Sequence, residues 1–311
     1  MMRSRIAERR SSVCSLSELA GPDKVKVVVG ADRRDFFIPR KLLASCDFFR
    51  EQIDCAPLEL SNGQPHLVIR LEGQCPDMFG LFSYWLEERR GFARFIDEAE
   101  VENTCDELHW DLVNLHLFAA QVDLPTLQDL AMDSIQDLYL RCNWEINPKL
   151  VSYVFTECGP EESCRLRKWI VAMIAWTLGG IGSARLADRI RLLLEYCLDL
   201  QQEYRAHHRG MAKSRLESRF KNPQLRLPSN ILRSEERQFG FRQCTFHTHR
   251  STVGQGKCPH MYSLSLSSMP PSPSTDGFVD SDSDQSEIRF GSRMVSPCSD
   301  TIFESDMEEM F

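Results

Sequence analysis

The sequence predicts an α+β domain, a short sheet flanked by a cluster of helices, followed by an all-helical extension and a disordered C-terminal tail. Three observations carry that prediction. β-Branched runs closed by turn residues stand early in the chain, at 25–29 and 67–71. Apolar residues at helical spacing dominate from residue 76 to residue 204. Beyond that, charge separates into blocks: residues 205–262 carry 12 Lys and Arg against 3 Asp and Glu, and residues 263–311 carry 2 against 10. Both blocks are poor in large apolar residues, so neither can bury enough surface to offset the entropy of ordering it. The chain of 311 residues is thereby divided into a disordered start (1–23), an α+β domain (24–141), a helical extension (142–204) and a mostly disordered tail (205–311), basic over 205–262 and acidic and Ser-rich over 263–311.

Each element follows in order. Val25-Lys26-Val27-Val28-Val29 is a strand closed by the turn residues Gly30-Ala31-Asp32, and Phe36-Phe37-Ile38 resumes it as a hairpin. Pro39 fits the first turn of a helix, where its missing N–H costs nothing, and Leu42, Leu43 and Cys46 supply an apolar face. Asp47 suits the cap of a second short helix that buries Phe48, Phe49 and Ile53. A further strand, Leu67 to Leu71, lies between Asn62-Gly63 and Gly73. Pro76-Asp77 then opens a helix with Phe79, Phe82, Trp85 and Leu86 at core spacing.

Residues 91–106 read as an irregular acidic loop. Glu107 to Val122 is apolar on two faces, as a helix central to its domain is, and Pro125 starts the next, with Leu127, Leu130, Ala131, Ile135 and Leu138 inward. In the extension, Pro148 to Phe155 and Ser163 to Leu178 read as helices broken by Gly179-Gly180-Ile181-Gly182. Leu186, Ile190, Leu193, Cys197, Leu200 and Tyr204 then alternate by four and three, a stripe too short for a coiled coil and read as packing within its own domain.

Several function classes are set aside by the residues. The longest uncharged apolar stretch, Trp169 to Ala184, holds three glycines and falls short of the roughly 20 residues a spanning helix needs. The Arg-rich start is followed by Val13-Cys14-Ser15-Leu16-Ser17-Glu18, which offers no signal-peptide core. Twelve cysteines without a C-x-x-C pair read as reduced thiols, and the expected location is cytoplasmic, nuclear or both. Gly179 to Ser183 lacks both the preceding strand and the Gly-Lys-Ser/Thr of a phosphate loop, so it reads as an interhelical turn. His66, His109 and His116 have no matched nucleophile or carboxylate and read as surface or structural histidines; Cys164 and Cys197 read as small core residues, and Asp111 as a solvated charge. No acid–base pair, nucleophile arrangement or cofactor loop emerges, so no enzyme is expected.

One constellation carries ligand chemistry. Cys244, His247, His249 and Cys258 place thiolates and imidazoles, the donors that suit tetrahedral zinc, within 15 residues. Their spacing is not that of a standard zinc finger, the competing reading is a local turn with unliganded side chains, and no cofactor other than zinc is suggested. Phe220, Phe239, Phe241 and Phe246 interleave with the basic stretch from Arg205 to Arg250, a pattern that can neutralise phosphates and stack bases. The acidic Asp280-Ser281-Asp282-Ser283-Asp284 suits phosphorylation.

Three segments in order resemble one family. Val27-Val28-Val29-Gly30, then Phe36 to Ala44, then Phe49-Arg50 is similar to the opening of a BTB/POZ domain. Asp77 to Leu86 resembles the helix after that family's third strand, and Leu115-His116-Leu117-Phe118-Ala119-Ala120-Gln121-Val122-Asp123-Leu124-Pro125-Thr126-Leu127 resembles its Leu-Tyr-x-x-Ala-Asp-Lys-Tyr-x-Ile-Pro-x-Leu segment. The likeness covers about residues 24–141, and with the extension and tail the whole resembles BTB proteins of filamentous fungi. Pro39-Arg40 stands where the family usually has His, Cys46-Asp47 where it usually has Ser-Pro, and Gly91 to Asp106 replaces a shorter turn and strand.

The resemblance implies a protein–protein interaction module, either an oligomerisation domain or an adaptor that docks substrates on a cullin ubiquitin ligase. The expected partners are a second copy of the chain or a cullin scaffold, with neither membrane nor nucleic acid expected. Asp77, Tyr84 and Glu88, with Ser83, fall on the face of their helix opposite Phe82 and Trp85, and are the residues expected at the interaction surface; the long acidic segment 91–106 is expected to shield it. The alternative is a nucleic-acid-associated regulator that dimerises through the BTB-like part and binds through the basic tail.

Overall fold

The structure, a computed structural model, describes residues 23–61, 64–181, 183–227 and 238–250. Residues 1–22 and 251–311, with the expected disordered start, Cys258 and the acidic block, lie outside the described residues. The fold is mixed α+β and divides into two compact units. One takes the chain up to Trp144 with 159–166 and 246–248; the other takes 145–158, 167–245 and the chain from His249.

In the first unit, β1 (Lys24–Val29) alternates strictly, with Val25, Val27 and Val29 fully buried, as a strand with one face on a core must. It pairs antiparallel with β2 (Arg34–Pro39) through the expected hairpin and parallel with β4 (Gln64–Leu71), whose partner on the other side is β3 (Leu58–Ser61). The sheet order is β2-β1-β4-β3. Strand β3 was not expected from the sequence. Gly30 closes β1 with φ +75, and a Cβ there would lie 2.8 Å from Pro76 Cγ, so the turn excludes any side chain twice over, by conformation and by space.

Two short helices follow, α1 (Arg40–Leu43) and α2 (Asp47–Cys55). Pro39 ends β2 and caps α1. Asp47 is the first helical residue of α2, with Cys46 at the cap, so its carboxylate acts on the helix dipole and on Arg50, 2.5 Å away, and not as the cap itself. Helix α3 (Pro76–Glu88) buries Phe79, Phe82, Trp85 and Leu86 and ends at Arg89, φ 54, whose guanidinium lies 4.2 Å from the centre of the Trp85 ring.

The segment read as an irregular loop is a helix, α4 (Ala93–Glu102), with Phe92 at its cap. Phe92, Phe95, Ile96 and Ala99 are buried at helical spacing, and the acidic residues that suggested a loop stand on the opposite side. Helices α5 (Cys105–Gln121) and α6 (Pro125–Arg141) complete the unit. The core is an aromatic cluster. Phe49 stacks on Phe82 at 5.4 Å, Phe118 meets Phe82 edge-on at 5.3 Å, and Phe36 meets Phe79 at 4.9 Å.

The second unit begins with α7 (Pro148–Thr156), capped by Asn147, whose side chain accepts from the Lys149 amide at 2.9 Å. In α8 (Cys164–Trp176) Trp169, Ile170, Met173 and Ile174 are fully buried. A wide turn, Thr177–Ile181, follows with Gly180 at φ 108. Gly179 packs so closely on Arg219 that a Cβ would sit 2.7 Å from its Cα, which makes Gly179 a packing residue. Arg167, 5% exposed, donates to the Cys158 carbonyl and faces Glu203 at 3.5 Å and Asp199 at 3.9 Å, with Phe155 against its guanidinium at 4.6 Å.

The heptad-spaced stripe is not one helix. It breaks at Cys197 (φ −103, ψ 103) into α9 (Ala184–Tyr196) and α10 (Leu198–Lys213). Ile190 and Leu200 are buried, whereas Tyr196 and Leu198 at the break are 78% and 67% exposed. Order also continues past the expected boundary at 204: α10 runs nine residues further, and β5 (Asn222–Leu227) pairs parallel with β6 (Gly240–Arg242). The tail reading missed this because the strands are short and polar-flanked. Among the described residues, no helix is long and apolar enough to cross a membrane.

Candidate functional site

The three residues expected at the interaction surface share one side of α3 but are spread along its length. Asp77 sits at the start of α3, paired with Arg34 at 2.8 Å, and Glu88 at its end, facing Arg90 at 4.0 Å; eleven residues of helix separate them by roughly 16 Å. Tyr84 is half-buried beneath α4, its ring edge-on to Phe95 at 4.8 Å and 6.5 Å from Phe92. Ser83, expected near the surface, is 5% exposed. The segment 91–106 thus lies against the middle of α3 through the Phe92 and Phe95 rings.

Among the described residues, one edge of the sheet in the first unit is open at β3. β3 borders the sheet, and its Leu58 and Leu60, two residues apart and so on one face, are 70% and 80% exposed. The intervening Glu59 points the other way and holds Arg70 with both carboxylate oxygens, at 2.6 and 2.8 Å. An edge strand that presents leucines to solvent is a template for pairing with another chain.

The Cys/His constellation is brought together in part. Cys244, His247 and His249 lie on one turn, and a ligand atom from each falls within 4.8 Å of the others; Cys258 lies outside the described residues. Cys244 is fully buried and His247 is 1% exposed, while His249 is half-buried. His247 Nε2 is bonded to Asp133 Oδ1 at 2.9 Å, and its Nδ1 lies 3.7 Å from Asp129 Oδ2. The Thr248 amide donates to Asp129 at 2.6 Å, and Arg165 donates to the Thr248 carbonyl at 3.2 Å. Asp129 and Asp133 are four apart on α6 and so share a face, an arrangement no local pattern around residue 247 announces.

Other titratable groups serve packing. His109, 2% exposed, meets Tyr139 Oη at 3.3 Å; His116, fully buried, is held by the Gln128 carbonyl at 3.1 Å and the Gln128 side chain at 3.3 Å. Burial lowers both to about 4, so both are neutral at physiological pH. His66 is in β4 and buried against Phe37, a structural histidine. Asp111, read as solvated, is 7% exposed with the Cys75 thiol 3.7 Å away. Cys164 and Cys197 are half-buried and not core residues. Burial pushes the Cys46 and Cys75 thiols up, and burial with Cys105 alongside pushes Cys142 up to about 12, which keeps these thiols protonated and unreactive.

Of the aromatics interleaved with the basic stretch, Phe241 and Phe246 are buried, and Lys221 lies 4.7 Å from the Phe241 ring. Phe220 and Phe239 are 49% and 60% exposed. The four therefore do not line up as a stacking platform. Comparisons with protein-family models, with curated proteins and with solved structures each find no match.

Proposed function

We propose that this protein is a protein–protein interaction module without catalysis of its own, an oligomerisation or adaptor domain of the BTB type. The observation that carries the reading is the edge of the sheet at β3, which among the described residues has no strand on its outer side and carries the exposed Leu58 and Leu60. The element order supports it: a strand hairpin, two short helices, the strand β4 and then helices follow one another as in the resemblance to that family, with β3 as an added strand. A second copy of the chain ranks above a cullin scaffold as partner, because α4 covers Tyr84 and the face of α3 that the resemblance assigns to cullin docking. The nucleic-acid reading ranks lower, because Phe241 and Phe246 are withdrawn into the fold.

The test is sedimentation equilibrium of the full chain and of Leu58→Lys/Leu60→Lys, each alone and with a purified cullin. A wild-type dimer that the double variant abolishes with unchanged circular dichroism supports the reading. Wild-type protein that stays monomeric and binds no cullin at tens of micromolar overturns it.

A further inference from the structure

We infer that Cys244, His247 and His249 bind a zinc ion. All three ligands come from a single hexapeptide, so the site is set by one turn of chain, and their ligand atoms are within 4.8 Å of one another. Around tetrahedral zinc, with Zn–S of about 2.3 Å and Zn–N of about 2.0–2.1 Å, donor atoms stand roughly 3.3–3.6 Å apart. Zinc binding would draw the three donors in from that spread. The donor set selects the metal: one thiolate and two imidazoles suit zinc and exclude magnesium and calcium, which take oxygen ligands.

Two further features distinguish this turn from an accidental meeting of a cysteine and two histidines. His247 carries the outer-shell partner of a metal-ligating histidine: its Nε2 is bonded to the Asp133 carboxylate at 2.9 Å, which fixes the ring, and its Nδ1, 3.7 Å from Asp129 Oδ2, is the nitrogen that would take the ion. The residue next to it is tied down independently, through the Thr248 amide and hydroxyl to Asp129 at 2.6 and 3.2 Å and the Thr248 carbonyl to Arg165. On the other side, Thr245 donates from its amide and its hydroxyl to the Arg242 carbonyl, both at 2.9 Å, which shapes the bend between Cys244 and His247. The turn is therefore tied down on both sides of His247 by backbone and threonine hydrogen bonds. Zinc reaches the site past His249, which is partly exposed, while Cys244 and His247 are shielded from water. Metal binding deprotonates the Cys244 thiol and releases that proton to solvent.

A rival explanation is that His247 serves only as a clasp onto Asp133, with Cys244 and His249 incidental. The two accounts separate in variants that leave His247 and Asp133 untouched. Full-length protein is stripped of metal, titrated with Zn(II) against a chromophoric competitor and assayed for bound metal by mass spectrometry; Co(II) substitution reports coordination by its d–d bands and thiolate-to-cobalt charge transfer. Wild type is expected to bind one equivalent with tetrahedral Co(II) absorption. Cys244→Ser is expected to lose the charge-transfer band, and His249→Gln to weaken zinc by at least tenfold. Because Cys244 is buried and its replacement can disturb folding, His249→Gln, at the surface, carries the test if Cys244→Ser does not fold. Zinc binding that is absent in wild type, or that persists undiminished in the folded variants because other thiols hold the ion, overturns the inference.

Discussion

Replacing Gly30 by Ala tests the packing of the first unit at its tightest turn. The residue sits at φ +75, where a Cβ costs roughly 1–2 kcal/mol in an L-residue. The added methyl also meets Pro76 Cγ at 2.8 Å, Pro76 Cδ at 3.0 Å and the Gln74 carbonyl at 3.2 Å, none of them the free end of a flexible side chain. Overpacking of that kind costs about 1–3 kcal/mol. Together the two effects destabilise the unit by about 2–5 kcal/mol. Two units can unfold in separate steps, so native-state hydrogen exchange at the β1 amides of Val25, Val27 and Val29 is the appropriate measurement, since it reads the opening of this unit alone. Protection there should fall by at least about 30-fold, at 1.4 kcal/mol per factor of ten. Gly73→Ala, where a Cβ meets nothing within 4 Å, is the control and should change protection by less than about threefold. Equal effects at the two glycines would refute the reasoning.

Three further outcomes follow from the same structure. Phe82→Ala opens the aromatic cluster between Phe49 and Phe118 and should cost about 3–5 kcal/mol by the same exchange measurement, whereas Glu88→Ala, exposed, should cost under about 0.5. His116, lowered to about 4 in the folded state from 6.5, stays neutral while the unfolded chain takes up a proton, so its contribution is intact above pH 6.5 and is lost progressively as pH falls toward 4, by about 3 kcal/mol in all; a folded His116→Gln variant should show a correspondingly shallower stability loss over that window, and an identical slope would contradict the assignment. Asp133→Asn, which keeps the shape but weakens the bond to His247, should lower zinc affinity about 10–100-fold in the competitor titration, and an unchanged affinity would separate Asp133 from the metal.

The sequence announced some of these features and concealed others for identifiable reasons. The β1–β2 hairpin was legible because Val25, Val27 and Val29 alternate and turn residues follow them. Strand β3 was missed because Leu58-Glu59-Leu60-Ser61 holds no β-branched residue, although the Asn62-Gly63 dipeptide between two extended runs is a strong hairpin signal. Helix α4 was hidden by its charge: four acidic residues between 97 and 102 suggested solvent, while Phe92, Phe95, Ile96 and Ala99 held the helical period. The break at Cys197 is invisible to pattern, since the apolar spacing runs through it and no Gly or Pro marks it. The Cys-x-x-His-x-His spacing was legible as ligand chemistry, but the carboxylates that hold His247 lie more than a hundred residues earlier, and only tertiary structure brings them to it. Polar burial on α5 was equally hidden. A helix apolar on two faces leaves little of its surface to solvent, so His109, Asp111 and His116 go inward with the rest.

The measurement that bears most directly on the proposed function is hydrogen exchange across β3 as the full chain is concentrated from the low nanomolar range to tens of micromolar. Association through the sheet edge should slow exchange at the amides of Leu58 to Ser61 that are not bonded to β4, with little change at β1. Exchange at β3 that is the same at every concentration, whether or not the protein associates, would contradict the edge as the interaction surface.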